Sequence, residues 1–218
     1  MNYKIIDLNT YKRKDHFAHF MKMDDPFITM NVNVDITKLY NEAKGNNYPF
    51  FLYFQYFVIK AANSIPELRQ RVRDGNIIEY DYCGSSYTVA LEDGTYRYCN
   101  VMCNMPLNEY FGYAKQKQEE ALKQANLVEE DDPESYFFVS CMPWHTYSSL
   151  EMPKPNNKFS VPSISWGKFF IENCVIENDD KITIEKHIKM PVTIMVNHAL
   201  VDGKQVCDFF NELDRLIS

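Results

Sequence analysis

Glycine is scarce in this chain, with only seven residues among 218, and no segment concentrates them. A Gly-rich phosphate-binding loop is therefore absent. The nearest approach to the Gly-x-Ser-x-Gly turn of serine hydrolases is Gly84–Thr88, which ends in threonine where the tight turn needs a second glycine. The sequence thus argues against a serine hydrolase.

Positive charge is also in short supply. The chain has 23 Lys and Arg against 30 Asp and Glu, a formal net charge of -7. A nucleic-acid-binding protein needs a positive surface to release counterions from the phosphate backbone, so no nucleic-acid partner is expected. A small anionic cofactor can still bind at a local basic site.

Membrane-spanning and secretion signals are missing as well. The longest apolar stretch, Phe50–Ala62, is interrupted by Gln55 and Lys60 and is too short to cross a bilayer. The six cysteines lack the spacing of a disulfide framework, and Met1–Asp7 lacks the apolar core of a signal peptide. We therefore expect a cytoplasmic protein with no membrane partner.

Metal ligands do not cluster in the sequence. His16 and His19 have a metal-like spacing, but no third ligand cluster accompanies them. Cys99 and Cys103 form a single pair, whereas a structural zinc site needs four ligands. We expect no metal.

The arrangement of apolar residues predicts one mixed α/β domain over residues 1–218, because neither a repeat nor a linker interrupts it. Asp-Gly turns at Asp74–Gly75 and Asp93–Gly94 separate β-prone runs. The pattern predicts helices over Phe50–Ala62, Leu107–Val128 and Gln205–Ser218, a short helix at Pro66–Arg69, and strands at Ile77–Tyr80, Tyr87–Ala90, Tyr136–Cys141, Ser163–Val175 and Pro191–Asn197.

One segment has the pattern of a catalytic motif. It is His198-Ala-Leu-Val-Asp202-Gly203, between an apolar strand and an amphipathic helix. A histidine at the end of a buried strand can act as a neutral base near physiological pH, and the Asp-Gly pair bends the chain immediately afterwards. A histidine beside an apolar strand is also common as a structural residue. The motif alone therefore does not decide between these two roles.

Further segments carry a resemblance over nearly the whole chain. They are Arg13–Phe17, Val34–Thr37, Pro66–Arg69, Ser140–Trp144 followed by Ser149, Trp166–Lys168, and His198–Gly203. In order and spacing the chain resembles the type A chloramphenicol acetyltransferases of the coenzyme A-dependent acyltransferase superfamily. The resemblance implies a chloramphenicol acetyltransferase-like two-layer α+β sandwich, with a mixed sheet flanked by helices, that forms a homotrimer with active sites at subunit interfaces.

The resemblance also implies a mechanism. His198 matches the general base, which takes the proton of an acceptor hydroxyl as its oxygen attacks the thioester of acetyl-CoA in a ternary complex. Ser149 matches the serine that donates to the oxyanion, with Ser148 as the competing candidate. Asp202 and Arg13 match a salt bridge that positions the base, so Asp202 is not read as the acid of a triad. Ser165 takes the place of a threonine that holds an ordered water.

The remaining site residues concern ligand binding. Lys168 matches a lysine near the coenzyme, although a surface role is an equal alternative. Phe20, Phe137 and Phe138 are candidate aromatic walls of the acceptor pocket, with buried core as the alternative for the last two.

Three departures from the family pattern affect the acceptor. Asn197 stands where the family has a second histidine, and Lys204–Gln205 replaces an aromatic residue and a histidine. Residues Glu151–Phe159, at a pocket wall that is apolar and aromatic in the family, are rich in Pro, Asn and Lys. We expect acetyl transfer to chloramphenicol, and keep as alternatives another small alcohol or a non-catalytic trimeric binding or scaffold protein.

Overall fold

The structure is a computed structural model that describes residues 1–127, 132–178 and 181–218. Ten strands and five α-helices occur in these ranges. The strands are β1 Tyr3–Ile6, β2 Phe27–Asp35, β3 Gln70–Arg73, β4 Asn76–Tyr80, β5 Gly84–Ala90, β6 Tyr96–Val101, β7 Tyr136–Met142, β8 Ser163–Gly167, β9 Phe170–Asn178 and β10 Lys181–Asn197. The helices are α1 Lys14–Phe20, α2 Thr37–Asn46, α3 Phe50–Ser64, α4 Leu107–Leu122 and α5 Gly203–Ile217, with 3-10 turns at Pro66–Arg69 and Pro133–Ser135.

The main sheet is mixed and runs in the order β2-β10-β8-β7-β5-β6, with β9 added to β10. The pairs β5–β7 and β7–β8 are parallel, and the other pairs are antiparallel. A second, three-stranded antiparallel sheet has the order β1-β4-β3. This architecture confirms the predicted mixed sheet flanked by helices.

Helix α3 covers one face of the main sheet. The rings of Phe51 and Phe54 contact Trp166 of β8, and the Gln55 amide donates to the Ser85 hydroxyl of β5 at 2.7 Å. Since side chains alternate between the two faces of a strand, residues next to these in sequence point to the opposite face. There the sheet carries a cavity instead of a helix layer.

The Asp-Gly turn between β3 and β4 forms as predicted. Asp74 and Gly75 both have positive φ, +51° and +78°, as a two-residue turn between twisted antiparallel strands requires. Asp93–Gly94 likewise lies between β5 and β6, with Gly94 at φ +84°. Both turn predictions are confirmed.

A long arm extends from β10, beyond its pairing with β2 and β8. In this β9–β10 arm, Phe170–Asn178 pairs with Lys181–Lys189. Directly opposed residues share a face, which places four apolar side chains on one face, and each is 63% to 71% exposed: Ile171, Val175, Ile182 and Ile184. This apolar face has no covering element among the described residues.

Two kinds of feature are absent from the described ranges. No helix there is long and apolar enough to span a bilayer. Within the same ranges, no group of three His, Cys, Asp or Glu side chains is placed to hold a metal ion.

Candidate active site

His198 directly follows β10, and both its backbone amide and its ring make hydrogen bonds. Its amide donates to the Pro26 carbonyl at 2.7 Å. The ring Nδ1 lies 3.0 Å from the Val201 carbonyl oxygen and 3.2 Å from Oδ1 of Asp202. Both oxygens accept hydrogen bonds, so the proton of the neutral ring is on Nδ1. The Nε2 lone pair is therefore available to accept a proton.

Asp202 connects this turn to the N-terminal helix. Its carboxylate binds both terminal nitrogens of Arg13, with one Nη2–Oδ1 distance of 2.9 Å. Nη2 of Arg13 also donates to the His198 carbonyl at 3.1 Å. The predicted pairing of Arg13 with Asp202 is thus present in the structure, and it reaches the backbone of His198 itself.

Asp202 also begins helix α5. Its side chain accepts from the backbone of Gln205, while the Gln205 side chain accepts from the Asp202 amide at 3.1 Å, which is a reciprocal capping box. The pattern Asp-x-x-Gln is a sequence signal for this motif, whereas the family resemblance marks Gln205 only as a departure. Gln205 supports the turn that carries His198.

Phe20, at the end of α1, packs its ring against the imidazole of His198. The structure therefore brings together four of the predicted site residues: Arg13, Phe20, His198 and Asp202. Three of them were assigned to the base and its support, and Phe20 was assigned to the acceptor pocket.

A cavity of about 570 Å³ lies on the sheet face opposite α3. The sheet contributes alternate residues to it, including hydroxyl groups and two aromatic rings: Ser86, Thr88, Tyr136, Phe138, Ser140, Ser163 and Ser165. Residues 150–159 close it from the other side with Leu150, Glu151, Met152, Pro153, Pro155 and Phe159. The cavity thus combines apolar walls with a row of hydroxyl groups.

The closing segment is attached to the end of β10 by Asn197. The buried Asn197 amide donates to the carbonyls of Asn157 and Phe159, at 3.2 and 3.0 Å. The next side chain, that of His198, stacks instead on Phe20, which packs against the hydrophobic core. The two neighbouring side chains therefore have different surroundings, and His198 is not among the described residues that line the cavity.

The other predicted residues have separate places. Ser165 is buried on the cavity wall, with its hydroxyl 3.0 Å from Sδ of Met152. Ser148 and Ser149 are exposed in the segment after β7. Lys168 is exposed between β8 and β9, and its amide donates to the His145 carbonyl at 2.9 Å. Phe137 is fully buried beside Arg71, and it is its neighbour Phe138 that lines the cavity.

Burial keeps the thiols of Cys103 and Cys141 protonated at neutral pH. Burial raises the pKa of Cys141 to about 11 and that of Cys103 to about 12. A thiolate is the nucleophilic form of cysteine, so neither residue favours a covalent route.

Comparison with known proteins decides the family. The family described as chloramphenicol acetyltransferase matches residues 1–214. This chain belongs to the chloramphenicol acetyltransferase family. The chloramphenicol acetyltransferase of Clostridium perfringens is 29% identical over 223 residues and is covered, like this chain, over 100% of its length. As a member of this family the protein is an acyltransferase.

Solved structures agree on the fold. A structure of a chloramphenicol acetyltransferase superposes with a TM-score of 0.85 at 19% identity, covering 100% of both chains. The dihydrolipoamide acetyltransferase of Azotobacter vinelandii gives a TM-score of 0.66 at 14% identity, covering 91% of this chain and 84% of that one. At these identities the comparison shows that the chloramphenicol acetyltransferase fold is shared.

Proposed function

We propose that this protein transfers an acetyl group from acetyl-CoA to a hydroxyl of chloramphenicol, with His198 as general base. Membership of the family supports the reaction. The observation that carries the role of His198 is the contact of its Nδ1 with the Val201 carbonyl, because it leaves Nε2 as the basic nitrogen. The His198 side chain keeps 27% of its surface exposed, so a substrate hydroxyl has access to it.

In this reaction His198 takes the acceptor proton on Nε2 while the acceptor oxygen bonds to the acetyl carbonyl carbon. As the carbon–sulfur bond breaks, the same proton passes to the sulfur, and the ring is neutral again. An alcohol is a poor nucleophile at neutral pH, and a positioned base contributes roughly 10²- to 10⁴-fold. Arg13 and Asp202 keep the ring in place through both proton transfers.

We assign the stabilisation of the developing oxyanion to Ser149, with Ser148 as the competing donor. Both hydroxyls are exposed in one subunit and so are free to face a bound thioester. A single donor of this kind typically contributes about 10²- to 10³-fold. Ser165, buried on the cavity wall, would hold an ordered water near the same charge.

A homotrimer completes the site in this proposal. His198 is not among the described residues that line the acceptor cavity of its own subunit, so a base from a neighbouring copy is needed over each cavity. The exposed apolar face of the β9–β10 arm supports self-association, because contiguous branched apolar side chains on a surface mark protein–protein contacts. Trp144, 80% exposed in the segment that carries Ser149, offers a second apolar contact.

Ligand binding follows from the same arrangement. Lys168 is exposed and can meet the coenzyme phosphates, and Phe20 can form part of the acceptor wall in the assembled trimer. Of the two candidate aromatic walls Phe137 and Phe138, we assign Phe138 to the acceptor pocket.

The six cysteines form no disulfide, which supports a cytoplasmic location.

The hydroxyl row of the cavity favours a second candidate. Ser86, Thr88 and Ser140 offer donors and acceptors to a substrate more polar than chloramphenicol. The mechanism would be the same, and the acceptor would be another small alcohol.

The experiment is a thiol-release assay with acetyl-CoA and chloramphenicol, using the wild type beside His198→Ala. We expect release that requires both substrates and His198. Release by the wild type only with other small alcohols would select the second candidate. Absence of release with every acceptor, together with absence of acetyl-CoA binding, would leave a non-catalytic scaffold.

A further inference from the structure

The phenol of Tyr147 contacts two strands of the main sheet, and one of its partners contacts a third. Its hydroxyl donates to the Ser165 carbonyl of β8 at 3.2 Å, and its oxygen lies 3.1 Å from Oγ1 of Thr193 on β10. Thr193 in turn donates to Oδ1 of Asn31 on β2 at 2.5 Å. One tyrosine hydroxyl is therefore attached to strands that are far apart in sequence.

These contacts follow from the strand register. Thr193 is paired directly with Ser165 on one side and with Asn31 on the other. Paired residues share a face, so the three side chains form a polar row on the cavity face of the sheet. Thr193 and Ser165 are fully buried, and a buried polar row is retained at low cost only when its members are hydrogen-bonded.

The ring of Tyr147 is fitted to a glycine. A Cβ atom added to Gly167 would lie 2.8 and 2.9 Å from two ring carbons of Tyr147 and 3.0 Å from the His145 carbonyl. That same carbonyl accepts from the Lys168 amide at 2.9 Å. Residues 145–147 are thus held to the end of β8 by one backbone bond, by ring packing and by the phenolic hydroxyl.

The segment fixed in this way leads directly to the candidate oxyanion donors. Ser148 and Ser149 follow Tyr147 by one and two residues, which limits their separation from its Cα to about 4 and 7 Å. Both serines are exposed. Their positions in one subunit therefore depend mainly on where Tyr147 is anchored.

We propose that Tyr147 is a positioning residue for acetyl transfer, whose hydroxyl holds the serine segment in register with β8 and β10. This inference rests on the proposed function, since it assumes that Ser149 or Ser148 meets the developing charge. Burial raises the pKa of Tyr147, so the phenol remains a donor throughout the neutral range. Its effect on turnover is accordingly independent of pH there.

Two variants test the positioning role by different routes. Tyr147→Phe removes only the hydroxyl, and Gly167→Ala displaces the ring. We expect each to lower kcat five- to tenfold, in line with the loss of one or two hydrogen bonds, with KM for acetyl-CoA changed less than twofold and the pH profile of kcat unmoved. Tyr53→Phe is the matched control, because its hydroxyl bonds to Glu42 at 3.0 Å between α2 and α3, and it should keep full activity.

A double-mutant cycle identifies what Tyr147 acts through. In a Ser149→Ala background, or in Ser148→Ala if that serine is the donor, Tyr147→Phe should cost less than twofold. Full activity of Tyr147→Phe in the wild-type background, or an undiminished cost in both serine backgrounds, would overturn the inference while the proposed function stands. If neither serine variant loses activity, the assignment of the oxyanion donor fails first. Thermal melts of every variant exclude unfolding as the cause.

Discussion

The ring of Phe20 stacks on the imidazole of His198, with ring centroids 3.9 Å apart and planes inclined by 28°. The contact joins the end of α1 to the turn after β10. At the edge of the imidazole, Nδ1 donates a hydrogen bond to the Val201 carbonyl. The ring of the proposed base is therefore fixed by stacking on its face and by a hydrogen bond at its edge, while 27% of the side-chain surface stays exposed.

Replacement of Phe20 by Leu should lower kcat about fivefold to tenfold, because the aliphatic side chain fills space without stacking. Steady-state kinetics with varied acceptor separates two roles. A fall in kcat at constant acceptor KM supports orientation of the base, whereas a rise in acceptor KM at constant kcat would show that Phe20 acts as a pocket wall. Unchanged values of both would contradict either role.

Asp202→Asn should impair activity and stability together, since the carboxylate pairs with Arg13 and begins α5. The amide keeps the helix cap but loses the charge, so we expect a stability loss of about 1–2 kcal/mol for this partly exposed pair. Thermal denaturation and thiol release, measured on the same preparation, check this. Activity as low as that of His198→Ala with an unchanged melting temperature would instead show a direct chemical role.

Ile184→Lys should dissociate the proposed trimer. The substitution places a charge on the apolar face of the β9–β10 arm, where burial in an interface would be costly. Glu185→Lys is the control on the adjacent residue, whose side chain points to the other face. Sedimentation velocity should show a smaller species for Ile184→Lys alone, with loss of turnover. A wild-type protein that sediments as a monomer and is fully active would contradict the interfacial site.

Asp35→Asn should destabilise the protein at neutral pH, and less so in acid. Burial acts to raise the pKa of Asp35, yet hydrogen bonds from Thr37, His187 and Lys189 outweigh it and hold the pKa well below its ordinary value. A lowered pKa stabilises the fold above the unfolded value of about 3.9.

This stabilisation is lost as the pH falls from about 4 through the pKa of the folded state. Urea denaturation at pH 7 and at pH 3 measures the difference between wild type and Asp35→Asn. It should be clear at pH 7 and smaller at pH 3. A difference that grows toward low pH would contradict the assignment.

Elements with strong local signals were predicted well. The continuous apolar run of α3, the predicted strand at Tyr136–Cys141 and the helical spacing of α5 each gave an element within a few residues of its observed bounds. Helix α4 begins at Leu107 as predicted but ends at Leu122, before the predicted Val128, which lies outside the described residues. Polar residues such as Lys123 and Gln124 fit either a helix or its end, so composition could not locate the boundary.

Pairing with distant strands was harder to predict. The segment predicted as one strand over Ser163–Val175 is divided into β8 and β9. Between the two, the three residues 167–169 lie opposite only two residues of β10, Met190 and Pro191, so the pairing register shifts by one residue. Pro191 lacks an amide proton, and it lies in the gap between the pairings with β9 and β8, where that donor is not needed on this side. The sequence showed the proline as the start of a strand, whereas it lies within one.

The residues of the candidate site also differ in how well the sequence could predict them. His198, Asp202 and Arg13 could be found because their segments match a family pattern, and the structure shows their contacts. Asn197 and Tyr147 could not, since their hydrogen bonds are made to strands and loops distant in sequence. A buried amide or phenol has a partner in the fold that local sequence does not reveal.

The place of β10 between β2 and β8 also sets the order in which the sheet can be completed. Residues 189–197 of β10 pair with residues 27–35 of β2. The second strand of the chain therefore cannot pair in the sheet until the last strand is present. Contacts of such sequence separation are slow to form, and during synthesis the early part of the sheet remains open until the C-terminal region has left the ribosome. The proposed base follows directly after that final strand. We therefore expect acetyl transfer only from chains in which β10 has joined the sheet. A chain that ends before β10 should show no turnover.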